Sequence, residues 1–192
     1  MKKSMGARTL LPTAPVWVIG TYDDEGKPNV MTASWGGICC SKPPCVGVSL
    51  RAATYSHGAI VSRKAFTVSV PSVDQVREAD YFGIVSGKDT DKFQVSGLTP
   101  VRSELVDAPY VSEFPVVLEC RLLHTVEIGL HTQFIGEILD VKANEEVLSA
   151  NGLPDPLLVR SFLYCPEVQA YHGLGAAIGR GFQAGRELKQ GS

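Results

Sequence analysis

Pro15-Val-Trp-Val-Ile-Gly-Thr-Tyr-Asp-Asp-Glu-Gly-Lys-Pro-Asn-Val-Met-Thr-Ala-Ser-Trp35 is the stretch that decides the fold. Through Tyr22 it is apolar or β-branched, as a strand requires, and it then meets the polar, turn-forming run Asp23-Asp-Glu-Gly-Lys-Pro28. A return strand from Asn29 to Ile38 completes a hairpin. Ser41-Lys-Pro-Pro44 then breaks pairing, because proline lacks an amide donor, and Cys45 to Leu50 supplies a third strand. This opening third of the chain reads as a β-meander.

Further along, Thr54 caps a short helix over Thr54 to Arg63, Phe66 to Val70 alternates as a strand, and Val73, Val76, Tyr81 and Phe82 recur at helical spacing. Ser86 to Phe93 is a polar loop, and Leu98 to Phe114 a long excursion. From Pro115 to His124, Val116, Leu118, Cys120 and Leu122 share one strand face, and His131 to Val141 is the antiparallel partner. Phe162 to Tyr171 reads as one more strand, followed from about Gly173 by an ordered, partly helical extension. No fixed-period repeat occurs. The expectation is a mainly β protein, a barrel plugged by a few helices, in one domain over residues 1–192.

Composition narrows the function. Eighteen Lys and Arg against 20 Asp and Glu leave no basic face for nucleic acid, and no apolar run approaches the roughly 20 residues that cross a bilayer. The start, Met1-Lys-Lys-Ser-Met-Gly, leads to Arg8 and Pro12 rather than to a signal-like apolar run, so a cytoplasmic protein is expected. Cys39, Cys40, Cys45, Cys120 and Cys165 are odd in number and fit neither a disulfide framework nor zinc knuckles. Cys39 and Cys40, neighbours on a strand, point to opposite faces and read as two small buried or half-buried thiols.

Several motifs fail on spacing. Gly173-Leu-Gly-Ala-Ala-Ile-Gly179 is one residue too long for a dinucleotide loop, and Gly83-Ile-Val-Ser-Gly-Lys-Asp89 lacks the gap and the hydroxyl of a phosphate loop. His124 and His131, seven apart, lack the spacing of a helical metal site, which leaves only a strand-borne one open. No Gly-x-Ser-x-Gly elbow exists, so hydrolysis has no support.

Three segments taken together resemble the flavin reductase-like family, and within it the small FMN proteins called flavoredoxins: Asn29-Val-Met-Thr-Ala-Ser-Trp-Gly-Gly-Ile38, Pro44-Cys-Val-Gly-Val-Ser-Leu-Arg51 with Thr54, and the run from Tyr171 to Leu188. The resemblance implies an FMN-binding split β-barrel of Greek-key type, usually a homodimer, with one noncovalent FMN per subunit near the dimer interface. It also implies a soluble electron carrier between redox proteins. An NAD(P)H-dependent flavin reductase is the alternative, and a non-redox ligand- or partner-binding barrel the third.

FMN needs its phosphate held, its ribityl chain threaded and its ring oriented. Arg51, with Thr54 and Ser56 on the adjoining turn, suits the phosphate, and Lys92 adds a second cation. Backbone groups of Asn29, Val30, Met31, Thr32 and Ala33 suit the polar edge of the ring, and the small Ser34 lets it approach. Trp35 packs on the flavin or in the core, both roles being open to an indole. The resemblance adds Ser49, Leu50, His131 and Tyr164 to the site. For Arg51 and Lys92 a solvated charge, and for His131 and Tyr164 a structural role, are the plainer readings. No side chain is expected to act as acid or base, since the flavin carries the redox chemistry. Cys40 beside the flavin would make a thiol relay, but a Cys-x-x-Cys partner is missing.

Overall fold

The computed structural model describes residues 1–189, so Gln190 to Ser192 of the expected domain lie outside the described residues. Val16 divides the first apolar run: β1 (Ala14–Pro15) pairs with a late strand, whereas β2 (Trp17–Tyr22) joins the main sheet. Asp23 closes the hairpin turn by accepting the amides of Glu25 (3.0 Å) and Lys27 (2.8 Å). The return strand is shorter than expected. β3 (Pro28–Ala33) ends before Ser34, and β4 (Gly36–Ser41) starts afresh after Trp35. A Cβ at Gly36 would lie 2.5 Å from the ring of Trp17, so only glycine lets the chain turn past that indole. The Ser41–Pro44 segment, expected to break pairing, instead joins β4 to β5 (Pro44–Arg51) as a hairpin.

The chain continues through α1 (Tyr55–Arg63), β6 (Ala65–Val70), α2 (Val76–Ile84), α3 (Lys92–Ser96), β7 (Pro100–Arg102) and β8 (Pro109–Val111). Two long strands follow, β9 (Val116–Ile128) and β10 (His131–Ala143), then α4 (Pro156–Val159), β11 (Phe162–Cys165) and β12 (Ala170–Gly173). Four expectations change. Asp91 accepts the amide of Gln94 (3.0 Å) and so starts α3, which puts Lys92 on a helix instead of a loop. Residues 98–114 hold the small β7–β8 hairpin, and the single strand expected over 162–171 is the β11–β12 hairpin. Thr54 precedes α1 but makes no side-chain cap; its hydroxyl donates to the Arg51 carbonyl at 2.8 Å.

The main sheet is antiparallel, in the order β3-β2-β6-β9-β10-β5-β4. Its two edges, β3 and β4, are consecutive in sequence, and a link this short reaches at most about 11 Å. The sheet must therefore curl until its edges face one another. No ladder joins β3 to β4 or β5 among the described residues, so the barrel is split along that line. Ile19, Val46, Val48, Leu50, Phe66 and Phe134 fill its interior, with Ile60 of α1 as a plug. Val18 and Val30, on the other face of β2 and β3, pack with Ala79, Phe82 and Phe93 of α2 and α3 in a second core.

β9 and β10 contain a bulge. Ile135 opposes His124 but Gly136 opposes Leu122, which leaves Leu123 unpaired. Opposed residues share a face, so beyond the bulge Thr125 goes with the interior Phe134, while Val126 and Ile128 go with Gln133 and His131 outside. No helix among the described residues is long and apolar enough to cross a membrane.

Candidate functional site

The free edge of β3 is the starting point. Lys92 Nζ donates to the carbonyls of Val30 (2.8 Å) and Phe82 (2.9 Å), so the Val30 carbonyl points away from β2. Peptide groups alternate along a paired strand, which turns the N–H and C=O of Thr32 outward as well. Side chains alternate in step: Thr32 donates its hydroxyl to the Ala79 carbonyl of α2, and Asn29 donates its amide to Ser56 Oγ (2.9 Å) in the first turn of α1. This edge faces β5 across the split.

At one end of the split, Trp35 is 45% exposed and stacks on His131, with ring centroids 4.6 Å apart and 29° between the planes. The Trp35 carbonyl accepts the amide of Ser49 at 2.8 Å. Around them opens a cavity of about 560 Å³, lined by Ser34, Trp35, Ser49, Gln133 and the N-terminal residues Arg8 to Leu11. A second cavity, of about 240 Å³, has a wall that includes Asn29, Met31, Thr54, Ser56 and Lys92. Arg51 lines neither cavity: it is exposed, opposes His131 across the β5–β10 ladder, and its carbonyl holds the amide of Thr54 at 2.9 Å.

Eight of the fifteen expected site residues thus line these two cavities, namely Ser34, Trp35, Ser49, Asn29, Met31, Thr54, Ser56 and Lys92. Arg51 and His131, opposed across the β5–β10 ladder, line neither cavity, and Thr32 turns its side chain to α2. Val30, Ala33 and Leu50 are core residues by their side chains. Tyr164 packs on the second core against Tyr171, centroids 5.3 Å apart, outside both cavities. The sequence reading missed Ser86 and Gly87, which wall the smaller cavity. A Cβ at Gly87 would overlap the Asn29 amide, so the glycine of the rejected phosphate-loop motif is needed for close approach to the site.

The electrostatics centre on Lys92. Only 4% of its surface is exposed, and burial pulls its pKa down to about 8. A neutral amine keeps two N–H donors, enough for the two carbonyls it serves.

Residues 11–165 match the model of the Flavin reductase like domain. The chain belongs to the flavin reductase-like family. Within it, the chain is similar to the flavoredoxin of Desulfovibrio vulgaris (Miyazaki F), with 52% identity, a TM-score of 0.92, and coverage of 96% of this chain and 100% of that one. The flavoredoxin from Methanosarcina acetivorans matches at 28% identity and a TM-score of 0.89 over 98% of both chains. The reductase component of the Rhodococcus opacus 4-nitrophenol 4-monooxygenase/4-nitrocatechol 2-monooxygenase is 28% identical over 125 residues, 65% of this chain and 64% of that one. This flavin reductase-like protein therefore has a flavin-linked redox role on a split-barrel fold.

Lys92 gives a stability prediction. Unfolded lysine holds its proton to about pH 10.4, whereas folded Lys92 releases it near about 8. Between those values unfolding takes up a proton, so this group's contribution to stability rises with pH across the window and is flat below it. Wild-type Tm, measured against that of Lys92→Met, is expected to gain from pH 8 to 10. At pH 7 the variant should be less stable by about 1–3 kcal/mol, because two carbonyls lose their donor. Parallel pH profiles would refute the assignment.

Proposed function

We propose that the chain holds FMN noncovalently across the split and works as a flavoredoxin-type electron carrier between redox proteins, as a single cytoplasmic domain. The observation that carries this reading is a grouping along the split: the β3 edge and Ser56 wall one cavity, Trp35 and Ser49 wall another, and Arg51 is tied to both through its ladder partner His131, which stacks on Trp35, and through Thr54. The outward N–H and C=O of Thr32 suit the polar edge of the ring, and Trp35 and His131 suit its plane. The Arg51 guanidinium, the Ser56 hydroxyl and the first-turn amides of α1, which Thr54 leaves uncapped, suit the phosphate. Thr54 must release its bond to the Arg51 carbonyl before its hydroxyl can help. The larger cavity, about 560 Å³, is in the ordinary range for a cofactor of this size. Bound flavin supplies the electron transfer, and these residues orient it and limit access by water.

Replacing Arg51 by Ala is expected to weaken FMN retention roughly 10-fold or more, since charge-assisted bonds contribute about 1.5–3 kcal/mol each. Riboflavin, lacking the phosphate, should lose far less in parallel fluorescence titrations. Equal loss of both ligands would sink the phosphate assignment.

The second reading is an NAD(P)H-dependent flavin reductase, favoured by the open cavity beside Trp35 and by likeness to a monooxygenase reductase component. Anaerobic mixing of the yellow protein with NADH or NADPH separates the two. A carrier bleaches slowly, whereas fast bleaching at micromolar dinucleotide establishes the reductase instead. A colourless protein that takes up no FMN leaves the non-redox barrel.

A homodimer completes the proposal. Val126 and Ile128, 43% and 56% exposed on the outer face of the β9–β10 arm, and Leu130, 64% exposed in the turn at its tip, give an apolar surface suited to a second copy. Sedimentation should give a dimer; a monomer with FMN fully bound overturns this.

A further inference from the structure

The thiols of the β4–β5 hairpin are arranged differently from the sequence expectation. Cys39 and Cys40 are both exposed, whereas Cys45 is only 4% exposed. Cys39 is the bulged residue of β4, without a partner, and Cys40 opposes Cys45 directly. Opposed residues of an antiparallel pair share a face, with Cβ atoms about 4.5–5.5 Å apart and closer at non-hydrogen-bonded positions. That approaches the roughly 3.5–4.5 Å between the Cβ atoms of a disulfide. Strand pairing thus supplies the partner that no Cys-x-x-Cys spacing offered. No cluster of three His, Cys, Asp or Glu side chains suited to a metal occurs among the described residues, so a shared cation does not account for the pair.

We propose that Cys40 and Cys45 form a reversible dithiol–disulfide couple, oxidised by low-molecular-weight disulfides. Cys40, the accessible member, attacks a small disulfide RS–SR; a Cys40–S–SR bond forms, the RS–SR bond breaks, and RSH leaves with the Cys40 proton. Cys45 then attacks the Cys40 sulfur, which forms the Cys40–Cys45 bond and releases a second RSH with the Cys45 proton. The two protein thiols lose two electrons and two protons, and the small disulfide gains both. Burial pushes the Cys45 thiol up, and negative charge on Cys40, more than on Cys39, pushes it further. The exposed Cys40 thiol therefore attacks first, and the buried Cys45, whose neutral thiol is favoured, acts second. The crosslink would tie β4, whose Gly36 to Cys39 wall the larger cavity, to β5.

The test is the intact mass of the full-length protein after incubation with oxidised glutathione, with dithiothreitol as the reverse step. Wild type is expected to lose the mass of two hydrogens per chain and regain it on reduction. Cys39→Ser should behave as wild type, Cys40→Ser should show no such loss, and Cys45→Ser should stall with one glutathione attached at Cys40. A wild-type protein that stays unmodified or keeps the adduct overturns the proposal. So does a mass loss that depends on Cys39 and survives in Cys40→Ser. The wild-type and Cys39→Ser results stand even if the buried Cys45→Ser substitution prevents folding.

Discussion

Two residues, Ser34 and Trp35, separate strands that lie at opposite edges of a seven-stranded sheet. The rest of the structure follows from that short tether. A flat sheet of this width would hold its edges about 29 Å apart at the usual 4.8 Å strand spacing. A link of about 11 Å forbids this. Curling is therefore imposed by covalent length, and burial of Phe66, Phe134 and the valines of β5 follows from it.

The same tether explains why the candidate site lies where it does. Curling brings β3 toward β5 without the hydrogen bonds that would close a barrel, so unpaired peptide groups of β3 remain on offer. An open edge is ordinarily a liability in a soluble protein. Here Lys92 occupies part of it, joining the Val30 carbonyl to the C-terminal part of α2. The remainder fronts two cavities, where a ligand with a polar rim can take the place of a neighbouring strand.

Much of this was legible in the sequence, for physical reasons. Alternation in β6, β9 and β10 and the turn chemistry of Asp23 to Pro28 are local, and both located their elements. The division after Ala33 was not legible, because Ser34, Trp35 and Gly36 fit a strand as well as a link. The close approach of the Trp17 ring to Gly36, which leaves no room for a side chain there, is a tertiary fact. Lys92 stands on a helix rather than the expected loop; a polar loop and a helix capped by Asp91 look alike over so few residues. Tyr164 sits on the second core, away from both cavities, and strand alternation does not say which of two cores a face meets. Ser86 and Gly87 escaped because the motif test concerned a phosphate loop, whereas their use is to line a wall.

The bulge at Leu123 shows how little sequence is needed to redirect a surface. A strand has two faces, and one unpaired residue exchanges them from that point onward. Without it, the inward series of Leu118, Cys120 and Leu122 would continue through His124, Val126 and Ile128, and the arm would turn an apolar side toward the mouth of the barrel. With it, Thr125 and Glu127 take that side, and the aliphatic residues are delivered outward beside Gln133 and His131. The arm's exterior is thus encoded by parity as much as by composition: a single deletion there, leaving every other residue in place, would turn the protein's outer surface inside out along half a strand.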